Sequence, residues 1–296
     1  MRRCGLTLIL LILALMATSC SRRDLLIVTD QYWQAATLEN GGVAAGLARQ
    51  GSERGVSIQT VVVPYTPSNT AKLAAEVRTH PARLILLSPL YSIDAAGLAN
   101  ELPDRHFAAF STEAQSSGVR ANVPNLVYLI SDPGPVFTLA GKRLEGYLGR
   151  QSNGSEVVRV AAIFSDDSSG TAASVGFVKG IEGEVTKPDL LTLRVAGNAD
   201  RGRVRQFIDD ARAKNVSAYV LAAPALNSYA VELLKDSSTP IVTEDWIYGS
   251  TYSNKVLFSV DQDIPSALMK VVETMGRAAD NEIRIPWDLV SATGHE

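Results

Sequence analysis

The chain has 296 residues, 46% hydrophobic, 6% aromatic and 20% charged, with 22 Gly, 13 Pro and a formal charge of −3. This is globular material, enough for one large domain or two of about 120–150 residues. The slightly acidic balance speaks against a nucleic-acid partner, which would call for a basic surface. Three His and two Cys leave almost nothing for a zinc site, and neither a metal nor a cofactor is expected.

At the start, Arg2 and Arg3 precede an uncharged run from Leu6 to Met16. A span of the hydrocarbon core needs about 20 apolar residues, so this run is too short to cross a membrane. A basic end, a short apolar stretch and small residues make residues 1–19 a secretory signal peptide. Ala17-Thr18-Ser19 stop at Cys20 in the manner of a bacterial lipobox, with Ala17 in place of the commoner Leu. The expectation is an acylated Cys20 at the mature N-terminus, residues 20–24 as a short tether, and a protein held by lipid in the cell envelope, facing the periplasm or exterior. The alternative is an ordinary signal peptide cleaved near a Cys. Cleavage before Cys20 leaves 26 basic and 31 acidic residues, and Cys20 is then the one cysteine, so no intramolecular disulfide can form.

From Asp24 onward short β-branched runs alternate with amphipathic segments. Strands are expected at Leu25–Val28, Ile58–Val63, Leu84–Leu87, His106–Phe110 and Leu126–Ile130. Further ones are expected at Val158–Phe164, Leu190–Val195, Tyr219–Leu221, Ile241–Thr243 and Val256–Val260. Continuous apolar runs such as Leu84-Ile85-Leu86-Leu87 suit strands covered on both faces, as parallel sheets require. Between them, Leu73, Ala74 and Val77 share a helical face. So do Val136, Leu139, Ala140, Leu144, Tyr147 and Leu148, and so do Val204, Phe207, Ile208 and Ala211. Strands alternating with helices mean βαβ units and parallel pairing. Ten strands are more than one compact sheet of this length holds comfortably, and the alternation halts at Ser131-Asp132-Pro133-Gly134-Pro135 and again at Gln151–Glu156. The first halt is taken as a passage between lobes.

Several segments resemble the type I periplasmic binding proteins, the ribose-binding-like group that shares its fold with lac-repressor-type effector domains. Gly42–Gly51 is similar to that family's first helix, with Gly and small residues expected to pack close to the sheet. Asp132, Ala140-Gly141 and Tyr147-Leu148 resemble its entry into the second lobe. Arg159–Ile163 with Gly176-Phe177 and Gly180-Ile181 resembles the opening βα unit there. Ser259–Asp263 and Arg284–Leu289 resemble the last two passages. The likeness spans nearly the whole mature chain, and the order and spacing of these weak motifs carry it. It implies an α/β fold of two similar doubly wound parallel-sheet lobes joined by three crossing strands, with a ligand between them. The lobes would comprise 24–131 plus 262–284, and 132–260 plus 285–296.

In open α/β sheets the ligand sits beyond the carboxyl ends of the strands. In the first lobe those ends carry Tyr32, Trp33, Tyr65, Tyr91 and Glu113, and in the second Asp166, Asn227, Asp245 and Trp246. Asp132, Phe137, Asp261 and Gln262 mark the hinge. The aromatics suit stacking on sugar, nucleobase or cation, and each could equally pack a lobe surface. Acids crowd these loops while bases hardly appear, which favours a neutral or cationic solute, a sugar or nucleoside above all. Asp167 reads as a helix N-cap, and Asp166 leans toward ligand contact. Trp287 is expected in the core.

His80, His106 and His295 all read as surface residues, and no G-x-S-x-G elbow, phosphate loop or G-x-G-x-x-G occurs; no catalytic residue is expected. The partners that follow are a small-molecule ligand, the membrane through the lipid, and an ABC-type permease. The alternative is a ligand-sensing lipoprotein that reports to a membrane signalling protein without transport.

Overall fold

The computed structural model describes residues 23–39, 43–66, 70–112, 123–151, 157–182, 188–244, 252–274 and 282–291. The expectations at Cys20, Glu113, Asp245 and Trp246 lie outside them. The strands are β1 Arg23–Thr29, β2 Val56–Val62, β3 Leu84–Leu87, β4 His106–Thr112, β5 Leu126–Ser131 and β6 Arg159–Ser165. They continue with β7 Asp189–Val195, β8 Ala218–Ala222, β9 Ile241–Glu244, β10 Val256–Gln262, β11 Glu282–Arg284 and β12 Trp287–Ser291. The main helices are α1 Val43–Arg54, α2 Thr70–Thr79, α3 Ala95–Glu101, α4 Gly134–Gln151, α5 Ser168–Ile181, α6 Arg201–Ala213, α7 Pro224–Leu233 and α8 Ile264–Thr274.

Two six-stranded sheets form, in the orders β11-β5-β4-β3-β1-β2 and β12-β10-β9-β8-β6-β7. Each is doubly wound, and the alternation of its strand side chains shows it. Leu25, Ile27, Leu84 and Leu86 meet Leu47 of α1 and Leu268 of α8 on one face. Leu26, Val28, Ile85 and Leu87 meet Leu73 and Val77 of α2 and Leu98 of α3 on the other. In the second lobe Val160, Ala162 and Val220 pack under Phe137 and Leu144 of α4 and Phe177 of α5. Ala161, Ile163 and Leu221 face Val204 and Ile208 of α6 and Leu226 of α7. Strands buried on both faces need apolar residues at every position, which is why these runs do not alternate.

The chain passes between lobes at Ser131–Gly134, Gln262–Ile264 and Arg284–Trp287, and the passages are bonded to one another. Ile285 N donates to Ile130 O at 2.9 Å and Asp263 N to Pro286 O at 2.9 Å. Gln262 Nε2 donates to Ser131 Oγ at 3.2 Å. β11 and β12 were not expected as strands: at three and five residues, with Ile283 the one buried side chain between them, these edge strands carry no apolar run. β11 is parallel to β5, whereas β12 is antiparallel to β10. The reason is continuity. The chain leaves the first sheet at a carboxyl edge and enters the second from its own carboxyl edge, so it must run against the strands it joins.

Two further expectations are corrected. Gly46 lies against α8 rather than against the sheet: a Cβ there would stand 2.9 Å from Pro265 Cγ. Leu139 is 43% exposed, because the buried stripe of α4 is Val136, Phe137, Ala140, Leu144 and Leu148, and Leu139 lies to its side.

Candidate functional site: the facing carboxyl edges

Because all three passages join carboxyl ends, the carboxyl edges of the two sheets face each other. The first lobe's edge is built on a buried carboxylate. Asp30 follows β1 at 0% exposure; its Oδ1 accepts from Trp33 N at 3.0 Å and its Oδ2 from Ser88 Oγ at 2.7 Å. It thereby ends β1, caps the short helix Gln31–Trp33 and ties β1 to β3. Tyr32 lies in that helix, which passes into a π-helical stretch Gln34–Glu39; such wide turns recur at functional sites. Gln31 Oε1 accepts from Tyr65 N at 2.8 Å, drawing in the end of β2. Trp33 is half-buried, its ring 5.5 Å from that of Phe110 at the end of β4. It packs against the first core.

After β3, a 3₁₀ helix at Pro89–Asp94 lies along the same edge. Tyr91, expected in the ligand wall, is instead a core residue: it is 2% exposed and its hydroxyl donates to Val63 O at 2.6 Å. Burial, then the nearby Asp30 charge, raises its pKa, which keeps the hydroxyl a donor. The residues that face solvent on this helix are Pro89, Leu90 and Ile93. Asp94, half-buried beside them, has its pKa raised by burial.

The second lobe's edge is polar. After β6, Asp167 caps α5 by accepting from Gly170 N at 2.7 Å, and Ser165 Oγ donates to the same oxygen at 2.9 Å. Asp166 is exposed, its backbone N held by Val195 O at 2.8 Å. Capping thus falls to Asp167, and the carboxylate of Asp166 is left facing water. Arg194, near the end of β7, was not expected here. Its guanidinium lies 5.7 Å over the Phe164 ring and donates to Ser165 O at 3.2 Å and Thr171 Oγ1 at 3.3 Å. An Arg late in a strand followed by Val195-Ala196-Gly197 was the available signal.

Two more expected ligand residues are structural. Phe137 is fully buried beneath α4, where a hinge aromatic finds apolar partners on the second sheet. Asn227 is 1% exposed, its Oδ1 accepting from Ala223 N at 3.1 Å and its Nδ2 donating to Glu244 O at 2.9 Å. At that burial its side chain is spent on joining the ends of β8 and β9. At the hinge, Asp132 Oδ1 accepts from Gly134 N at 3.1 Å and Oδ2 lies 3.7 Å from Arg284 Nη1, joining the first and third passages. Asp261 and Gln262 are half-buried and pair with Asp288 and Trp287 across β10 and β12. Trp287 is half-buried against the second core, as expected of it. A recess of about 540 Å³ beside these passages is lined by Asp132, Leu139, Arg284 and Trp287 among others. Trp33, Asp166 and the hinge polar groups thus lie at carboxyl ends of their sheets, whereas Tyr91, Phe137 and Asn227 are buried.

No protein-family model matches the sequence, and no curated protein matches it significantly. Solved structures do match its shape. A transcriptional activator of the comK gene from Bacillus halodurans is 15% identical, covers 92% of this chain and 91% of its own, and superposes with a TM-score of 0.69. An ABC transporter solute-binding protein from Aeropyrum pernix K1 is 14% identical over 90% of this chain and 76% of its own, at 0.67. The Caulobacter myo-inositol binding protein, bound to myo-inositol, is 14% identical over 92% and 94%, at 0.61. With the strand orders above, these likenesses establish the fold: the chain has the fold of the type I periplasmic binding proteins, two parallel-sheet α/β lobes joined by three crossings.

Proposed function

We propose that the protein captures a small neutral or cationic solute, a sugar or nucleoside, between its lobes and delivers it to an ABC-type importer. One observation carries this reading. Two separate α/β lobes present their carboxyl edges to each other, joined by three short passages, so a solute between them touches both. The solute-binding proteins among the structural neighbours support it. So does the placement of the histidines that a hydrolase would need. His80 pairs with Gln59 at 2.6 Å, and His106 opens β4 at the edge away from the cleft. The protein acts as a binder, not an enzyme, and lipid at Cys20 would hold it in the envelope beside its membrane partner.

Mass spectrometry of what co-purifies with the protein from its own cells tests the reading: a bound small solute upholds it, and its absence across growth conditions speaks against it. Scattering adds a second check, since hinge closure should reduce the radius of gyration when that solute is added. The likeness to the B. halodurans transcriptional activator favours one other reading, a sensor that reports the solute to a membrane signalling protein. Genome neighbours separate the two: permease and ATPase genes for one, a kinase or cyclase gene for the other.

A further inference from the structure

We infer that the captured solute bears a hydrocarbon face, an aryl or alkyl substituent on a hydroxylated body such as a glycoside or nucleoside, and that Leu90, Ile93 and Tyr65 receive it. This rests on the solute-binding reading. Seven large hydrophobic residues are exposed among the described residues. Four of them lie at the carboxyl ends of β2 and β3: Val62 at 45%, Tyr65 at 39%, Leu90 at 40% and Ile93 at 87%. Single exposed apolar residues need no explanation, but their concentration on the edge that faces the other lobe does.

The ridge is fixed in place. A 3₁₀ helix repeats every three residues, so Leu90 and Ile93 stand one above the other on its outer side. Tyr91 points inward and fastens one end to the carbonyl of Val63 beyond β2. Ser92 fastens the other: its Oγ accepts from Phe110 N of β4 at 2.9 Å and donates to Ser88 O at 3.2 Å. Tyr65, exposed beyond the end of β2, has its ring 5.8 Å from that of Tyr91, on the same edge of the sheet. A surface already ordered loses little freedom when a solute lands on it.

The opposite edge offers Asp166 and Arg194 instead. The C–H face of a bare sugar is small and rimmed by hydroxyls, so a ridge of Leu90 and Ile93 would leave some of those hydroxyls without a hydrogen-bond partner, which is unfavourable. A solute with one apolar and one polar face satisfies both walls.

Calorimetric titration of the full chain with matched pairs decides this: D-ribose against adenosine, and D-galactose against phenyl β-D-galactoside. In the pair that binds, the substituted member should bind about tenfold tighter or more. The double variant Leu90→Ser/Ile93→Ser, at exposed positions, should remove that gain and bring the substituted member to the affinity of its bare partner. A bare sugar that binds as tightly as its substituted partner overturns the inference. So does a gain that survives the double variant, which would hand the ridge to some other surface. A co-purified solute without any hydrocarbon face also overturns it while upholding solute binding. Absence of binding by every pair, with nothing co-purifying, defeats the solute-binding reading itself.

Discussion

The two lobes share one strand order but are clamped by different means. Reading from the far edge, the first runs β2-β1-β3-β4-β5-β11 and the second β7-β6-β8-β9-β10-β12. In the second lobe α4 and α5 touch backbone to backbone. A Cβ on Gly176 would stand 2.1 Å from the Gly134 carbonyl oxygen, one on Gly180 2.1 Å from that of Thr138, and one on Gly141 2.6 Å from that of Phe177. In the first lobe α1 and α8 meet through side chains: Gly46 against the Pro265 ring, Gln50 Nε2 donating to Ser266 Oγ at 3.2 Å, and Arg54 paired with Glu273 at 3.0 Å. One lobe is locked by steric closeness and the other by adjustable contacts. The same contrast holds at the strand ends, where Asp30 is a buried tie and Asp167 an exposed cap.

The largest expected effect tests the seam. Gly180→Ala forces a methyl into a fixed carbonyl and should cost about 3 kcal/mol, read as a lower denaturant midpoint. Gly46→Ala meets a ring edge that can shift and should cost about 1 kcal/mol. Equal losses would break the contrast between the lobes. Next come the carboxylates. Asp30→Ala leaves Ser88 Oγ and Trp33 N without their acceptor in a buried setting and should cost about 2–4 kcal/mol in thermal or chemical unfolding. Asp167→Ala removes only a cap and should cost about 1 kcal/mol.

A smaller effect is expected at the hinge. Arg284 is 69% exposed, so Arg284→Ala should change stability by about 0.5 kcal/mol or less. Its loosened tie to Asp132 should show instead as a larger radius of gyration without ligand. The smallest effect concerns Asp94. Its folded pKa is raised by burial, so the charged form is disfavoured in the folded state and stability falls as pH rises through that pKa. Asp94→Asn should therefore stabilise slightly at neutral pH, and the gain should fade under acid.

Much of this was legible in the residues. Runs such as Leu84–Leu87 are apolar at every position because both faces of their sheets are covered, and that pattern announces parallel strands without a structure. Glu282–Arg284 and Trp287–Ser291 were opaque because an edge strand half-open to water has no such signature. The site was harder. Trp33 stands at the facing edge as its position after β1 suggests. Tyr91 and Asn227 occupy equivalent-looking positions and turned inward, because a 3₁₀ turn and a helix start each needed a buried hydrogen bond. Position after a strand fixes which edge a residue occupies; the local turn fixes whether its side chain faces solute or core. Ile93 escaped notice for the converse reason, since an isolated Ile in a short turn reads as packing.

The order in which the crossings occur has a consequence for synthesis. One face of the first sheet, with Leu25, Ile27, Leu84 and Leu86, is covered partly by Leu268, Met269 and Val272 of α8. Those residues leave the ribosome only after the second lobe's five parallel strands have been made. Until then the first lobe carries an open apolar face and lacks its edge strand β11, while the second already holds most of its core. The lobe encoded first thus waits for nearly the whole chain before its sheet is covered. In that interval its uncovered sheet is the part of the nascent chain most exposed to chaperones, to proteases and to misassembly.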